Sequence, residues 1–100
     1  MGNIQVVNIK GMKKGSYIYI GRGSVYGNRF IIGVDGNREE CIALYKKVLW
    51  QQICSLGPLG KAVVSLAACR TDLVLGCYCK PKACHGDVIA SCIRWLRTKA

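Results

Sequence analysis

Short runs of β-branched and aromatic residues dominate the first third of the chain, and helical spacing of apolar residues begins only after it. The runs Ile4–Ile9 and Tyr17–Ile20 predict two strands, and Phe30–Val34 predicts a third, weaker strand. Glycine-rich segments separate these runs at Gly11–Gly15, which predicts a turn, and at Gly21–Gly27, which predicts a loop. The first third of the chain is therefore expected to supply strands to a sheet.

After Asn37, apolar residues recur at spacings of three and four, which predicts an amphipathic helix. They are Ile42, Tyr45, Leu49 and Ile53. Asn37 is a favourable N-cap, and Glu40 stands at the capping-box position. Gly57 and Pro58 are expected to end this helix, and Leu59–Cys69 predicts a second one.

The last third of the chain predicts one more strand and one more helix. Leu73–Cys79 is a nearly continuous apolar run, typical of a strand buried on both faces in a parallel sheet, and Pro81 cannot continue it. The last helix is indicated by Val88, Ile89, Cys92, Ile93 and Leu96. The order of elements predicts a compact α/β fold, a single domain over residues 1–100 with a small, mostly parallel sheet flanked by helices.

Composition narrows the class of protein. The chain has 100 residues, of which 51% are hydrophobic, so it can bury a core and is not a disordered tail. Fifteen Lys and Arg against five Asp and Glu give a charge of +10, which favours an anionic partner, although the basic residues are dispersed and a solubilising surface is an alternative. Seven Cys, an odd number, without an apolar leader indicate a cytoplasmic protein with reduced thiols. The apolar stretches are too short to span a bilayer of about 30 Å, so no membrane partner is expected.

Four potential soft-metal ligands fall within nine positions: Cys77, Cys79, Cys84 and His85. Zinc accepts this ligand set, although the spacing is not the usual pair of knuckles. Alternatively, Cys84 at a helix start is a reactive nucleophile, with His85 as a base and Asp87 in acid–base work. Lysines 80 and 82 in a loop between a strand and a helix also favour a phosphate site. In the simplest interpretation the thiols only pack, as we expect for the four cysteines in helical segments: Cys41, Cys54, Cys69 and Cys92.

The glycine-rich loop after the second predicted strand also suits an anion. It matches neither the dinucleotide fingerprint nor a Walker loop. Its glycines allow backbone N–H groups to approach a ligand, Arg22 offers a bidentate fork, and Ser24 and Asn28 offer polar contacts. An ordinary turn with a solvated Arg22 is the alternative.

Together these segments resemble the domain of unknown function 4326 family of bacteria and phages. The motifs are Tyr-Ile-Gly-Arg-x-Ser-x-x-Gly-Asn-x-Phe at Tyr19–Phe30, Asp-Gly-x-Arg-Glu-Glu at Asp35–Glu40, and Leu-Gly-Cys-aromatic-Cys-x-Pro-x-x-Cys-His-Gly-Asp at Leu75–Asp87. The resemblance extends from Val6 to Ile93. The chain departs from the family pattern at Gly23 and Arg29, where Pro is common, and at Tyr78, where Trp is common.

The resemblance implies a small α/β domain whose motif residues gather at one site, in phage and nucleotide-metabolism settings. We therefore predict a binding module for a small phosphorylated, nucleotide-like ligand. The module is expected to need no cofactor and, in a phage setting, to sequester a signalling nucleotide. The predicted ligand-binding residues are Arg22, Ser24, Gly27, Asn28, Arg38, Cys84, His85 and Asp87.

Three alternatives stay open. The first is an enzyme that uses Cys84, His85 and Asp87 on a nucleotide or ADP-ribose-type substrate. The second is a module stabilised by zinc, and the third is a nucleic-acid binder driven by the overall charge. A homo-oligomer whose partner subunit completes the pocket is compatible with each of them.

Overall fold

The computed structural model describes residues 2–99 and contains three helices and three strands within them. In chain order these are β1 (Ile4–Asn8), β2 (Ile18–Tyr19), α1 (Arg38–Ser55), α2 (Pro58–Ala68), β3 (Leu73–Cys77) and α3 (His85–Thr98). The predicted α/β class is confirmed, and so is the alternation of strands with helices that the spacing of apolar residues indicated.

Strand β3 is the centre of the sheet, because both other strands pair with it in parallel. On one side Ile4 lies opposite Leu73, and on the other Ile18 lies opposite Leu75. Four of the five residues of β3 are buried, as the apolar run predicted. Since all three strands run in the same direction, their carboxyl ends meet at one edge of the sheet.

Helix α3 connects the sheet with the other two helices. It packs against β1 and β3 on one side and against α1 and α2 on the other, and α1 and α2 also pack on each other. Its residues Ile89 and Ile93 are fully buried beside Leu75, Leu49 and Val63. The core therefore lies on both sides of α3.

Helix α1 begins as the sequence predicted. The side chain of Asn37 accepts a hydrogen bond from the Glu40 N–H at 2.8 Å, and the Glu40 carboxylate accepts one from the Asn37 N–H at 3.0 Å. This capping box satisfies two donors that the first turn of a helix leaves unpaired. The helix ends at Ser55 with Leu56 as its C-cap, and α2 starts at Pro58 after the N-cap Gly57.

Three predictions of local structure were wrong. Phe30–Val34 is not a strand but a loop, because the Asp35 carboxylate accepts from the Ile31 N–H at 2.7 Å and closes a turn that a strand could not contain. Strand β3 ends at Cys77, two residues earlier than predicted. Cys54 and Cys69 are exposed rather than packed, since the first lies off the buried stripe of α1 and the second follows the end of α2.

Within residues 2–99, no helix has both the length and the apolar character needed to cross a membrane.

Arg97 is a buried cation that ties three segments together. Its guanidinium donates to the carbonyl oxygens of Ala67 at 3.2 Å, Gly2 at 3.1 Å and Thr71 at 3.0 Å, and only 4% of the residue is exposed. These bonds join α3 to the end of α2, to the α2–β3 loop and to the start of the chain. Arg97 is thus part of the structural framework.

We expect Arg97→Met to lower the free energy of unfolding by about 3 kcal/mol, because hydrogen bonds from a charged donor are lost while the apolar stem is kept. Urea denaturation measures this change, and Lys61→Met on the exposed face of α2 is the matched control. A stability within about 0.5 kcal/mol of the unsubstituted protein, the range of ordinary surface changes, would contradict the assignment.

Candidate functional site

A cavity of about 360 Å³ lies at the edge where β2 and β3 end. Three parts of the chain line it: the loop after β2, the first residues of α1, and the segment from the end of β3 to the start of α3, which we call the cysteine loop (residues 77–85). Open parallel sheets commonly bind ligands at this edge. The position of the cavity thus follows from the strand directions.

The cavity brings together residues that lie far apart in the sequence. Five of the eight predicted ligand-binding residues line it: Arg22, Asn28, Arg38, Cys84 and His85. The glycine-rich loop and the cysteine loop are therefore neighbours. That these residues bind a ligand stays a prediction.

Ser24, Gly27 and Asp87 do not line this cavity. The Ser24 hydroxyl donates to the Gly21 carbonyl at 2.7 Å, and both Ser24 and Gly27 border a shallow depression next to it. Asp87 caps α3, accepting from the Cys84 N–H at 3.3 Å and from the Lys80 ammonium at 2.7 Å. These three residues shape the loops around the cavity.

Asn28 lines the cavity, but its amide is used within the protein. Its oxygen accepts from the Phe30 N–H at 3.0 Å and its nitrogen donates to the Cys41 carbonyl at 3.3 Å. Asn28 therefore holds the loop against α1.

The His85 ring is buried and oriented by two contacts. Its Nε2 donates to the Ile20 carbonyl oxygen at 2.7 Å, and its ring lies edge-on to Tyr45 with centroids 5.0 Å apart. A carbonyl oxygen only accepts, so the proton is on Nε2 and Nδ1 is left as an acceptor. Burial lowers the pKa of His85, which favours the neutral ring.

Three thiols converge in the same cavity. The sulfurs of Cys77, Cys79 and Cys84 all lie within 4.8 Å of one another, and Cys77 Sγ is 3.6 Å from Cys84 Sγ. They meet although β3 ends at Cys77, because the chain turns back after Cys79, where the Lys82 N–H donates to the Cys79 carbonyl at 2.8 Å. His85 is not part of this cluster, so the predicted set of four metal ligands reduces to three. A cluster of this kind could hold a metal ion.

The thiols differ in acidity. The hydrogen bond from Cys77 lowers the pKa of Cys84, with a further contribution from the Gly86 N–H, and the same bond raises the pKa of Cys77. Burial raises the pKa of Cys79, and the Arg38 guanidinium offsets part of that rise. Cys84 is accordingly the most readily ionised thiol of the three, and it lies at the start of α3, where free N–H groups favour a thiolate.

Positive charge predominates around the cavity. Arg22 and Arg38 line it, and no Asp or Glu does so among the residues described. The one ion pair found within residues 2–99 joins Lys80 to Asp87, so neither arginine is neutralised by a carboxylate. The surroundings favour a negatively charged ligand.

The apolar wall of the cavity carried no signal in the sequence. Ile31 and Ile32, assigned to a weak strand, are 42% and 49% exposed and line the cavity with Phe30 and Tyr78. An apolar run gives no indication of whether it faces a core or a cavity. The turn closed by Asp35 is what leaves Ile31 and Ile32 exposed at the cavity, and only the structure shows it.

Fold and site define a small α/β protein with a basic cavity at the carboxyl edge of a parallel sheet. The chain belongs to the family described as Domain of unknown function (DUF4326), whose model matches residues 4–95. The resemblance found in its motifs is thus confirmed. The chain is also 44% identical over 80 residues to an uncharacterized 12.4 kDa protein in the nrdA-td intergenic region of Enterobacteria phage T4. The aligned residues cover 79% of this chain and 68% of that protein. No solved structure matches.

Arg38 connects α1 to the cysteine loop by donating to the Ala83 carbonyl at 3.0 Å. We expect Arg38→Ala to increase the alkylation rate of Cys84 about fivefold in metal-free protein, because losing one hydrogen bond of about 1 kcal/mol lets the loop open more often. Mass spectrometry of alkylated peptides gives the rates. The exposed Cys54 and Cys69 are internal controls whose rates should stay the same. An alkylation rate of Cys84 that is the same in both proteins would show that Arg38 does not restrain the loop.

Proposed function

We propose that this protein binds a small phosphorylated, nucleotide-like ligand in the cavity at the carboxyl edge of its sheet. The observation that carries the proposal is that the cavity combines two arginines, no carboxylate among its described lining residues, and aromatic walls. A nucleotide has the complementary parts, an anionic phosphate and a flat ring.

The phosphate would contact Arg22. This side chain is exposed on the glycine-rich loop, and the loop itself is held by the Tyr19 hydroxyl, which donates to the Arg22 carbonyl at 2.9 Å. Arginine presents a planar fork that matches two phosphate oxygens. Helix α3 begins at the same cavity, and the positive end of its dipole favours the same charge. Arg22 and the start of α3 thus both favour an anion in this cavity.

The ring of the ligand would lie against the apolar wall. Tyr19, Phe30 and Tyr78 offer aromatic faces, and 66% of Tyr78 is exposed. Stacking on aromatic faces binds a base with little selectivity among the different bases. Nδ1 of His85 offers an acceptor for a hydroxyl or amino group. The volume of about 360 Å³ lies within the usual range for small-ligand sites, roughly 300–1,000 Å³.

A small ligand explains these features better than a nucleic acid does. The arginines and aromatic rings are gathered in a concave site, whereas the other basic residues are dispersed over the chain. The similar phage T4 protein makes a phage setting relevant, where a binder without turnover would sequester a signalling nucleotide.

A second candidate function is turnover of the same ligand. The lowered pKa of Cys84, which lines the cavity, favours a thiolate nucleophile there. Incubating the protein with each nucleotide and analysing products by mass spectrometry tests this function. Products that disappear in Cys84→Ala would establish it, and unchanged nucleotides would exclude turnover of the panel.

A panel of nucleoside mono-, di- and triphosphates and ADP-ribose, screened by thermal shift and then by calorimetry, tests the binding function. Ligand at 100 times its Kd should stabilise the fold by about 2.7 kcal/mol. We expect Arg22→Ala to weaken binding roughly tenfold or more, because a charge-assisted hydrogen bond is lost, and Arg22→Lys to restore only part of it.

Lys61→Ala removes one positive charge from the exposed face of α2 and is the control for net charge. It should leave the affinity unchanged. Equal weakening by Lys61→Ala and Arg22→Ala would contradict a defined site, as would an absence of stabilisation by every phosphorylated ligand. Tight binding of DNA or RNA that falls steeply with salt would favour the nucleic-acid alternative instead.

A further inference from the structure

We propose that Cys77, Cys79 and Cys84 bind a single zinc ion, with its fourth coordination position open to the cavity. The site would exist in the absence of any nucleotide, so the proposal goes beyond the function proposed above. It rests on the convergence of three sulfurs from a strand end, a loop and a helix start.

The distances between the sulfurs suit one ion. With Zn–S bonds of about 2.3 Å, tetrahedral geometry places sulfur ligands about 3.8 Å apart. Cys77 Sγ and Cys84 Sγ are 3.6 Å apart, and no pair in the cluster exceeds 4.8 Å. The sulfurs are therefore already close to the separations that a single ion requires.

Thiolate ligands decide the class of metal. Three sulfurs select a soft or borderline ion such as zinc over calcium or magnesium, which prefer oxygen. All three thiols also line the same cavity, so a single ion can reach them from there. Cys41 lines the cavity as well, but its sulfur contacts the Gly36 carbonyl at 3.7 Å and is not part of the cluster.

The fourth position is not filled by the neighbouring histidine. Nε2 of His85 is occupied by the Ile20 carbonyl, and neither ring nitrogen belongs to the cluster of possible ligands. Three protein ligands with one open position are typical of zinc sites that bind a further group. Here that position faces the cavity, where water or an anionic ligand can complete the coordination.

The surroundings compensate for the charge of the site and hold its ligands in place. A zinc ion with three thiolates carries a charge of −1, and the Arg38 guanidinium lies beside Cys79. The backbone of the cysteine loop is fixed by Arg38 at the Ala83 carbonyl, 3.0 Å, and by the Asn8 amide at the Lys80 carbonyl, 2.8 Å. Such outer contacts orient metal ligands and raise affinity.

The experiment measures zinc and cobalt binding by the whole chain under reducing conditions without nucleotide. The background is Cys54→Ser/Cys69→Ser, which removes the two exposed thiols that could bind metal adventitiously. We expect one zinc per chain by elemental analysis after dialysis. Cobalt titration should give a thiolate charge-transfer band, whose intensity reports the number of sulfur ligands.

Cys79→Ser is the most informative variant, because Cys79 is the least buried of the three and its loss is the best tolerated by the fold. Cys79→Ser should lower the affinity for zinc at least roughly tenfold, because losing even an outer contact of a metal ligand typically costs that much. Circular dichroism should show an unchanged fold. Arg22→Ala should keep full zinc binding, which separates this proposal from nucleotide binding.

Two results would overturn the proposal. One is that the background protein, after incubation with excess zinc and then dialysis, retains less than about a tenth of an equivalent of zinc. The other is full zinc binding by a folded Cys79→Ser variant, which would place the metal elsewhere. If the unsubstituted protein binds zinc, the first result would also show that Cys54 and Cys69 hold that metal at the surface.

Discussion

Strand β3 pairs in parallel with β1 on one side and β2 on the other, so the carboxyl ends of all three strands lie at one edge of the sheet. The chain leaves β2 and β3 at this edge, and each time it forms a loop before the next helix begins. The loops that carry Arg22 and Cys84 are thereby forced together. A strand running in the opposite direction would have placed them at opposite edges, and no common cavity could exist.

The loops are held by polar contacts rather than by a large apolar core. Asn8 and Arg38 bind the carbonyls of the cysteine loop, and Asp87 links Lys80 to the start of α3. This arrangement leaves the apolar surface of Ile31 and Tyr78 exposed at the cavity. The cavity combines a restrained polar rim with an apolar wall, which is a common composition of small-ligand sites.

The two proposals for this cavity are physically compatible. Zinc bound by three thiolates would still carry a negative charge, and the Arg38 guanidinium lies beside Cys79, one of the three ligands. Arg22 lies on the opposite loop and remains available for phosphate. An anion that completes the zinc coordination would be stabilised by Arg22, so the basic rim and the thiol cluster would act on the same ligand.

Local signals in the sequence determined the helices, the N-terminal cap of α1 and the buried central strand. Asn37 and Glu40 form the capping box because the bonding partners are three residues apart, and the apolar run at Leu73 became a central strand because it has no polar face. Only the tertiary structure decided that Phe30–Val34 lines a cavity, that Asp87 turns away from it, and that three thiols converge without His85. Local elements depend on neighbours in sequence, whereas the site depends on contacts such as Arg38 with Ala83, between residues that only folding brings together.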